Sequence, residues 1–201
     1  MLPPIFRKKR GHYMNLLKLI SAIPPSVNHY LAYRTVSIGG KPMSISYKTK
    51  DAVKYRTEFA QYVSEEVIKQ KWALEPNNTQ HFYVDAVFYF PRIDMDANNY
   101  WKVMLDAITD TKLIWLDDNV VCERVQGIFY DTKSPRVEIQ IKPVDYIGVF
   151  QNASQLEDFT SRCIGCTRYK RNCSLLGNAL SGKVQEEVTG CECSKYKGIN
   201  K

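Results

Sequence analysis

Hydrophobic and polar positions alternate along this chain with two different periods, and each change of period marks a change of element. Asn15-Leu-Leu-Lys-Leu-Ile20 reads as a half-buried strand that stops at Ile23-Pro24-Pro25-Ser26-Val27-Asn28, where two prolines remove ladder donors. From Asp51 to Lys71 the apolar positions Val53, Phe59, Ala60, Val63, Val67 and Ile68 fall at helical spacing. Thr49 stands as N-cap and Asp51 in the first turn, while Glu58, Glu65, Glu66 and Lys69 occupy the opposite face. Pro76-Asn77-Asn78 closes that element.

Phe82 to Phe90 is rich in aromatic and β-branched residues and predicts a strand with Val84, Ala86, Phe88 and Phe90 on one face, ended by Pro91. Tyr100, Val103, Met104, Ala107 and Ile108 return to helical spacing between about Asn99 and Thr109. Val120 to Tyr130 predicts another strand, and Arg136 to Ile141 alternates as a further one, with the turn at Asp131-Thr-Lys-Ser-Pro135. The order β-α-β-α-β-β predicts an α+β domain in which two helices pack on one mixed sheet. Between the first strand and the first helix, Val36 to Tyr47 carries Gly39-Gly40 and forms either a loop or a small hairpin. Three segments follow: a basic extension at 1–13 with Met14 as an alternative start, a domain at 14–145, and a polar, cysteine-rich segment at 146–201.

Composition allows a packed core, with 44% hydrophobic residues. No apolar run reaches the roughly 18 residues of a membrane span. Arg7-Lys-Lys-Arg10 lacks the apolar block and cleavage site of a secretory signal, so a cytoplasmic protein is expected. The net charge is +7. Residues 1–14 hold four cations and no acid, 150–201 hold eight cations and five acids, and the middle of the chain is balanced. Basic ends on a neutral core suit nucleic-acid contact, the alternative being short solvated tails.

The chemistry concentrates in Asp94-Met-Asp96-Ala-Asn98-Asn99-Tyr-Trp-Lys102-Val-Met-Leu-Asp106 and Trp115-Leu-Asp117-Asp118-Asn119. Asp94 and Asp96 point to the same side in extended backbone. If the following strand neighbours the 82–90 strand, all these groups converge at one edge of the sheet. Several carboxylates with one lysine suit a divalent ion held against a phosphodiester, the lysine holding the phosphate or stabilising developing charge. Helix caps and an ordinary turn are the structural alternative.

The chain resembles the RusA-like Holliday-junction resolvases, homodimeric Mg²⁺-dependent endonucleases common in phages and prophages. Three ordered pieces carry the resemblance: Pro24-Pro25-Ser26-Val27-Asn28, Asp96-Ala-Asn98-Asn99-Tyr-Trp-Lys102 continuing to Asp106-Ala-Ile, and Trp115-Leu-Asp117-Asp118. The resemblance covers roughly residues 14–145. It implies Asp96 and Asp118 as ligands of Mg²⁺ or Mn²⁺, Lys102 as a base-like or phosphate-holding lysine, and Asp117 as neighbour in the acidic pair. Aligned through Lys102, the family's second aspartate falls on Asn98; in the other register Asp94 and Asp96 form the pair. The resemblance further implies a two-fold dimer acting on four-way or branched DNA, with no small-molecule cofactor and no membrane partner.

Asn28, Tyr30, Arg34, Lys41, Lys48 and Lys50 lie where cations and aromatics alternate, as a DNA-gripping loop would have them. In the last segment Cys163-x-x-Cys166, Cys173 and Cys191-x-Cys193 offer five thiols for the four places of a structural zinc site, with no histidine nearby. Reduced surface thiols are the alternative, and Cys122 reads as a small buried residue. Two rival functions stand beside nuclease activity. One is a zinc-stabilised branched-DNA-binding protein disabled by Asn98. The other is a regulatory or packaging factor whose tail binds another protein.

Overall fold

A computed structural model describes residues 15–77 and 79–199. The basic segment 1–13 and the alternative start at Met14 lie outside the described residues. Four strands form the main sheet in the order β1 (Leu17–Ser21), β6 (Arg136–Pro143), β4 (Phe82–Phe90) and β5 (Val121–Tyr130). β6 runs antiparallel to both β1 and β4, while β4 and β5 are parallel. The sheet is therefore mixed, and the architecture is α+β as the alternation predicts.

Two helices cover one face. α2 (Lys50–Lys69) is capped by Thr49, whose Oγ1 accepts from the Ala52 N–H at 3.3 Å and donates to the His29 carbonyl at 2.8 Å. α3 (Trp101–Thr111) follows a 3₁₀ turn at Ala97–Tyr100. Phe82, Val84, Ala86, Phe88 and Phe90 on β4 are all fully buried under them, together with Leu17, Leu19, Val137, Ile139 and Ile141. Phe59, Val63, Val67, Met104 and Ile108 close the core from above. Trp115 is buried against Phe82, and its indole N–H donates to Thr109 Oγ1 at 2.7 Å. The opposite sheet face is polar: the Arg124 guanidinium lies 3.7 Å from the Tyr83 ring and donates twice to Asp85 at 2.7 Å, and Arg136 lies 3.7 Å from Tyr89.

Between β1 and α2 the chain is more ordered than a loop. A single helical turn, α1 (Val27–Tyr30), leads into a hairpin of β2 (Leu31–Ile38) and β3 (Lys41–Lys48), paired only with each other. Gly39 and Gly40 have φ of 60° and 77°, the left-handed pair a two-residue hairpin turn demands.

The 146–201 segment holds structure that periodicity alone did not reveal: α4 (Ala153–Ile164), α5 (Leu175–Leu180) and a short hairpin of β7 (Val188–Thr189) and β8 (Glu192–Cys193). Phe150, Leu156, Phe159 and Ala179 form a small apolar cluster separate from the main core. Each helical stripe here is too short to register as a period.

Phe88 is the test of the main core, stacked on Phe90 and edge-on to Trp101. Phe88→Ala is expected to cost about 3–5 kcal/mol in denaturant unfolding, since the cavity would lie beneath two helices that cannot collapse into it.

Candidate active site

The parallel pairing of β4 with β5 governs where the acidic residues go. Asp94 and Asp96 follow the end of β4, whereas Asp117 and Asp118 precede β5 at Val121, which pairs with Phe82 at the start of β4. The two acidic groups thus set out from opposite ends of the strand pair, and the connection through α3 brings one of them to Lys102. Lys102, on the first turn of α3, places Nζ 2.8 Å from Asp106 Oδ1 and 3.4 Å from Asp118 Oδ2.

Asp106 is the hub of this group. Its Oδ2 accepts from the Tyr30 hydroxyl at 2.6 Å and lies 3.5 Å from Arg56 Nη1. Arg56 in turn donates to the Tyr30 oxygen at 2.6 Å and grips Asp110 with two nitrogens, at 2.9 and 2.6 Å. Burial works against the Asp106 charge, but hydrogen bonds from Lys102 and Tyr30, aided by the Lys102 and Arg56 charges, hold its carboxyl below the ordinary range. The hydrogen bond to Asp106 likewise raises Lys102 above the usual lysine value, burial opposing and the Asp106 and Asp118 charges assisting. Lys102 is therefore a fixed cation at neutral pH. A charged ammonium is the form that the phosphate-holding role implied for it needs.

Glu123 joins the site and was not singled out from the sequence. It pairs with Val84 across β4 and β5, so it occupies a position of core-facing parity at the open edge of the sheet. Burial raises its carboxyl above the usual range and the Asp118 charge adds to this, while Lys102 opposes. An acid at the parity of Val121 and Val125, between two apolar residues, was the available signal.

The other candidates are held by local bonds. Asp96 caps the 3₁₀ turn, with Oδ1 accepting from the Asn98 N–H at 3.0 Å, and Asp117 caps the turn at Asp118–Val120 by accepting from Asn119 N–H at 3.0 Å. Asp94 faces Arg92 at 3.2 Å on an exposed loop, and Asn98 is exposed. Lys102, Asp106, Asp118 and Glu123 are brought together, while Asp94, Asp96 and Asp117 make bonds within their own turns. Among the described residues no three His, Cys, Asp or Glu side chains are close enough together to hold an ion as they stand. The donor chemistry nevertheless suits a hard divalent cation, because Asp118 and Glu123 are carboxylates whose mutual repulsion such a charge would relieve.

The proposed DNA-binding residues divide in the same way. Arg34, Lys41 and Lys48 lie on the β2–β3 hairpin, where Tyr33 and Tyr47 are 70% and 47% exposed. Arg34 lies 5.7 Å from the Tyr47 ring. Lys50 opens α2, and Asn28 is exposed on α1. Tyr30 is corrected: it is buried and bonded to Asp106, so it anchors the hairpin base and cannot stack on a base.

All five tail cysteines line one cavity of 640 Å³. Burial, with Cys193, Cys173 and Cys166 close by, pushes the Cys163 thiol up to about 11. Backbone N–H groups, that of Lys197 first and then that of Arg168, lower the Cys166 thiol. Cys122 is partly buried and lies 3.3 Å from the Tyr146 hydroxyl.

Residues 23–142 match a family model described as endodeoxyribonuclease RusA. The matched span is more than half of the chain and contains both acidic segments, Lys102 and the Pro24–Pro25 turn. No curated protein matches. Among solved structures, a 2C-methyl-D-erythritol 2,4-cyclodiphosphate synthase from Plasmodium vivax is similar at 11% identity and a TM-score of 0.24, covering 64% of this chain and 93% of that one. A likeness that slight carries no argument about fold or function.

The Asp106 hub has a pH signature. A carboxyl depressed in the folded state stabilises fully above its unfolded value, near 3.9, and loses that contribution as pH falls through the folded value. Asp106→Asn is expected to cost about 2 kcal/mol near pH 7, the scale of a hydrogen bond to a charged group. The gap between the two proteins should narrow below about pH 4 in thermal melts; a gap independent of pH would contradict the hub.

Proposed function

Since the chain belongs to the RusA family of endodeoxyribonucleases, whose members resolve Holliday junctions, we propose that it is a divalent-metal-dependent nuclease acting on four-way or branched DNA as a two-fold dimer. The observation that supports this most is the Lys102 bridge between Asp106 and Asp118, with Glu123 beside it. A fixed cation next to carboxylates at an open sheet edge suits a scissile phosphate.

Asp118, Asp96 and Glu123 are the residues proposed to hold Mg²⁺ or Mn²⁺, with Asp94 or Asn98 as a further oxygen donor. When bound, such an ion supplies Lewis-acid charge to the phosphate and lowers the pKa of the attacking water. Lys102 donates to a non-bridging phosphate oxygen and offsets the charge that develops there. Asp106, with Tyr30 and Arg56 behind it, keeps the ammonium charged and aimed. Asp117 holds the turn that presents Asp118. Two copies related by a two-fold axis would offer two such sites to opposed strands, the symmetry that paired nicking requires. A phage or prophage source and a cytoplasmic location accord with this reading; among the described residues no helix is long and apolar enough to cross a membrane.

The β2–β3 hairpin is the proposed DNA arm. From Leu31 to Lys50 the sequence holds four cations and no acid. Tyr30 connects the base of this arm to Asp106 and so to Lys102.

A labelled synthetic junction incubated with Mg²⁺, Mn²⁺ or EDTA tests the chemistry. Paired symmetric nicks that need metal are expected, and Asp118→Asn or Lys102→Met should slow them by a factor of roughly 10² to 10³ without abolishing binding. Glu123→Gln should slow them roughly ten- to a hundredfold. Tight binding with no nicking under any metal would instead support the DNA-binding alternative, and restoring aspartate with Asn98→Asp would then be the informative variant.

The arm is tested by salt. Replacing Arg34, Lys41 and Lys48 with Ala should make log Kobs against log salt shallower by about 0.9 for each phosphate on the duplex arms that is no longer neutralised. Nicking at saturating protein should be unchanged. An unaltered slope would remove the hairpin from the interface.

A further inference from the structure

The tail presents a problem of stability that its apolar residues do not solve. Phe150, Leu156, Phe159 and Ala179 are the buried hydrophobics of its cluster, few for a segment that orders two helices and a hairpin. Segments with so little core depend on a staple. The material for one is present: Cys163, Cys166, Cys173, Cys191 and Cys193 all line the same cavity, and all are free thiols.

The backbone around Cys163 and Cys166 is arranged as a metal knuckle. The Cys166 N–H closes a tight turn on the Cys163 carbonyl at 3.0 Å. The Lys197 N–H then donates to Cys166 Sγ at 3.4 Å. The C-terminal segment is held to this turn by two more bonds, Thr167 N–H to the Lys197 carbonyl at 2.8 Å and Ile199 N–H to the Gly165 carbonyl at 3.1 Å. Amide donors aimed at a sulfur stabilise a thiolate, the form a metal takes, and have little use at a neutral disulfide sulfur. On the far side of the cavity the β7–β8 hairpin delivers Cys193, which packs with Cys163 against the Phe150 cluster. Cys173 comes from the loop between α4 and α5.

Cys191 differs from the other four. Its Sγ donates to the Gln155 carbonyl at 3.8 Å, across the segment on α4.

We propose that Cys163, Cys166, Cys173 and Cys193 bind one structural Zn²⁺ as four thiolates and that Cys191 stands outside the site. Among the described residues no three of these side chains are yet close enough to hold an ion, so the site forms by rotation of the side chains lining the cavity to the roughly 2.3 Å Zn–S distance of a tetrahedral site. Each ligand enters as a thiolate, so binding releases protons and tightens as pH rises. The bound ion fastens the end of α4, the α4–α5 loop, β8 and the C-terminal segment to one point.

Metal analysis of the full chain, purified without chelator, is the test. One zinc per chain is expected. Replacement by Co²⁺ should give thiolate-to-metal charge transfer in the near ultraviolet and the intense visible bands of a tetrahedral site. Alkylation of the folded protein, counted by mass, should leave four tail thiols protected until a chelator is added. Cys191→Ser should retain the metal, the spectrum and the protected set, while Cys193→Ser and Cys173→Ser should reduce zinc content from one per chain towards zero. No zinc and no cobalt spectrum in the wild-type chain would overturn the site. Loss of metal in Cys191→Ser as severe as in Cys193→Ser would overturn the assignment of the four ligands. These readouts are independent of nuclease activity, so their failure would leave the catalytic reading untouched.

Discussion

The parallel pairing of β4 with β5 is the constraint on which the rest of the structure depends. Parallel neighbours cannot be joined by a tight turn, because the chain must travel back along the full length of the strand before it can pair again. The return journey from Phe90 to Val121 is the 3₁₀ turn, α3 and the turn before β5. The same passage buries Trp101, Met104 and Ile108 on the sheet and carries Lys102 and Asp106 towards its open edge. Covering the core and assembling the chemistry are one act of folding here.

Asp106 translates that placement into a defined charge state. It is a half-buried carboxylate, and burial alone would favour its neutral form. Three partners from three elements reverse this: Lys102 from its own helix, Tyr30 from α1 and Arg56 from α2. The consequence is mutual, because the carboxylate that stays ionised also keeps Lys102 protonated. Through Tyr30 the same hub grips the base of the β2–β3 hairpin. The β2–β3 hairpin and Lys102 are therefore connected by two hydrogen bonds and one buried side chain.

Much of this could be read in the sequence, and the reasons are local. β4 was legible to the residue because a nine-residue run of alternating aromatic and β-branched positions has no other comfortable conformation. α2 was legible from Thr49 and the spacing of Phe59, Val63 and Val67. The hairpin was ambiguous because Arg34 to Lys48 alternates only weakly and both its faces are largely exposed, leaving Gly39-Gly40 as the sole strong cue. α4 was missed because two buried residues, Leu156 and Phe159, make too short a stripe to stand out. Glu123 was missed because its meaning lies in strand parity, which requires knowing which face of β5 looks inward.

The amino-acid sequence by itself determined the element order, the α+β class, the inward face of β4 and the identity of Lys102 and Asp118 as residues worth attention. These follow from periodicity, capping and motif spacing, which act over a few residues. Only the tertiary structure decided that Tyr30 is buried beneath the site, that Asp94 and Asp96 set out from the other end of the strand pair, that Glu123 stands beside Asp118, and that the five tail cysteines line one cavity. Each of those depends on strand direction or on which helix covers which strand. Such facts are set by packing between distant segments, where the free energy resides in interactions that no local pattern encodes.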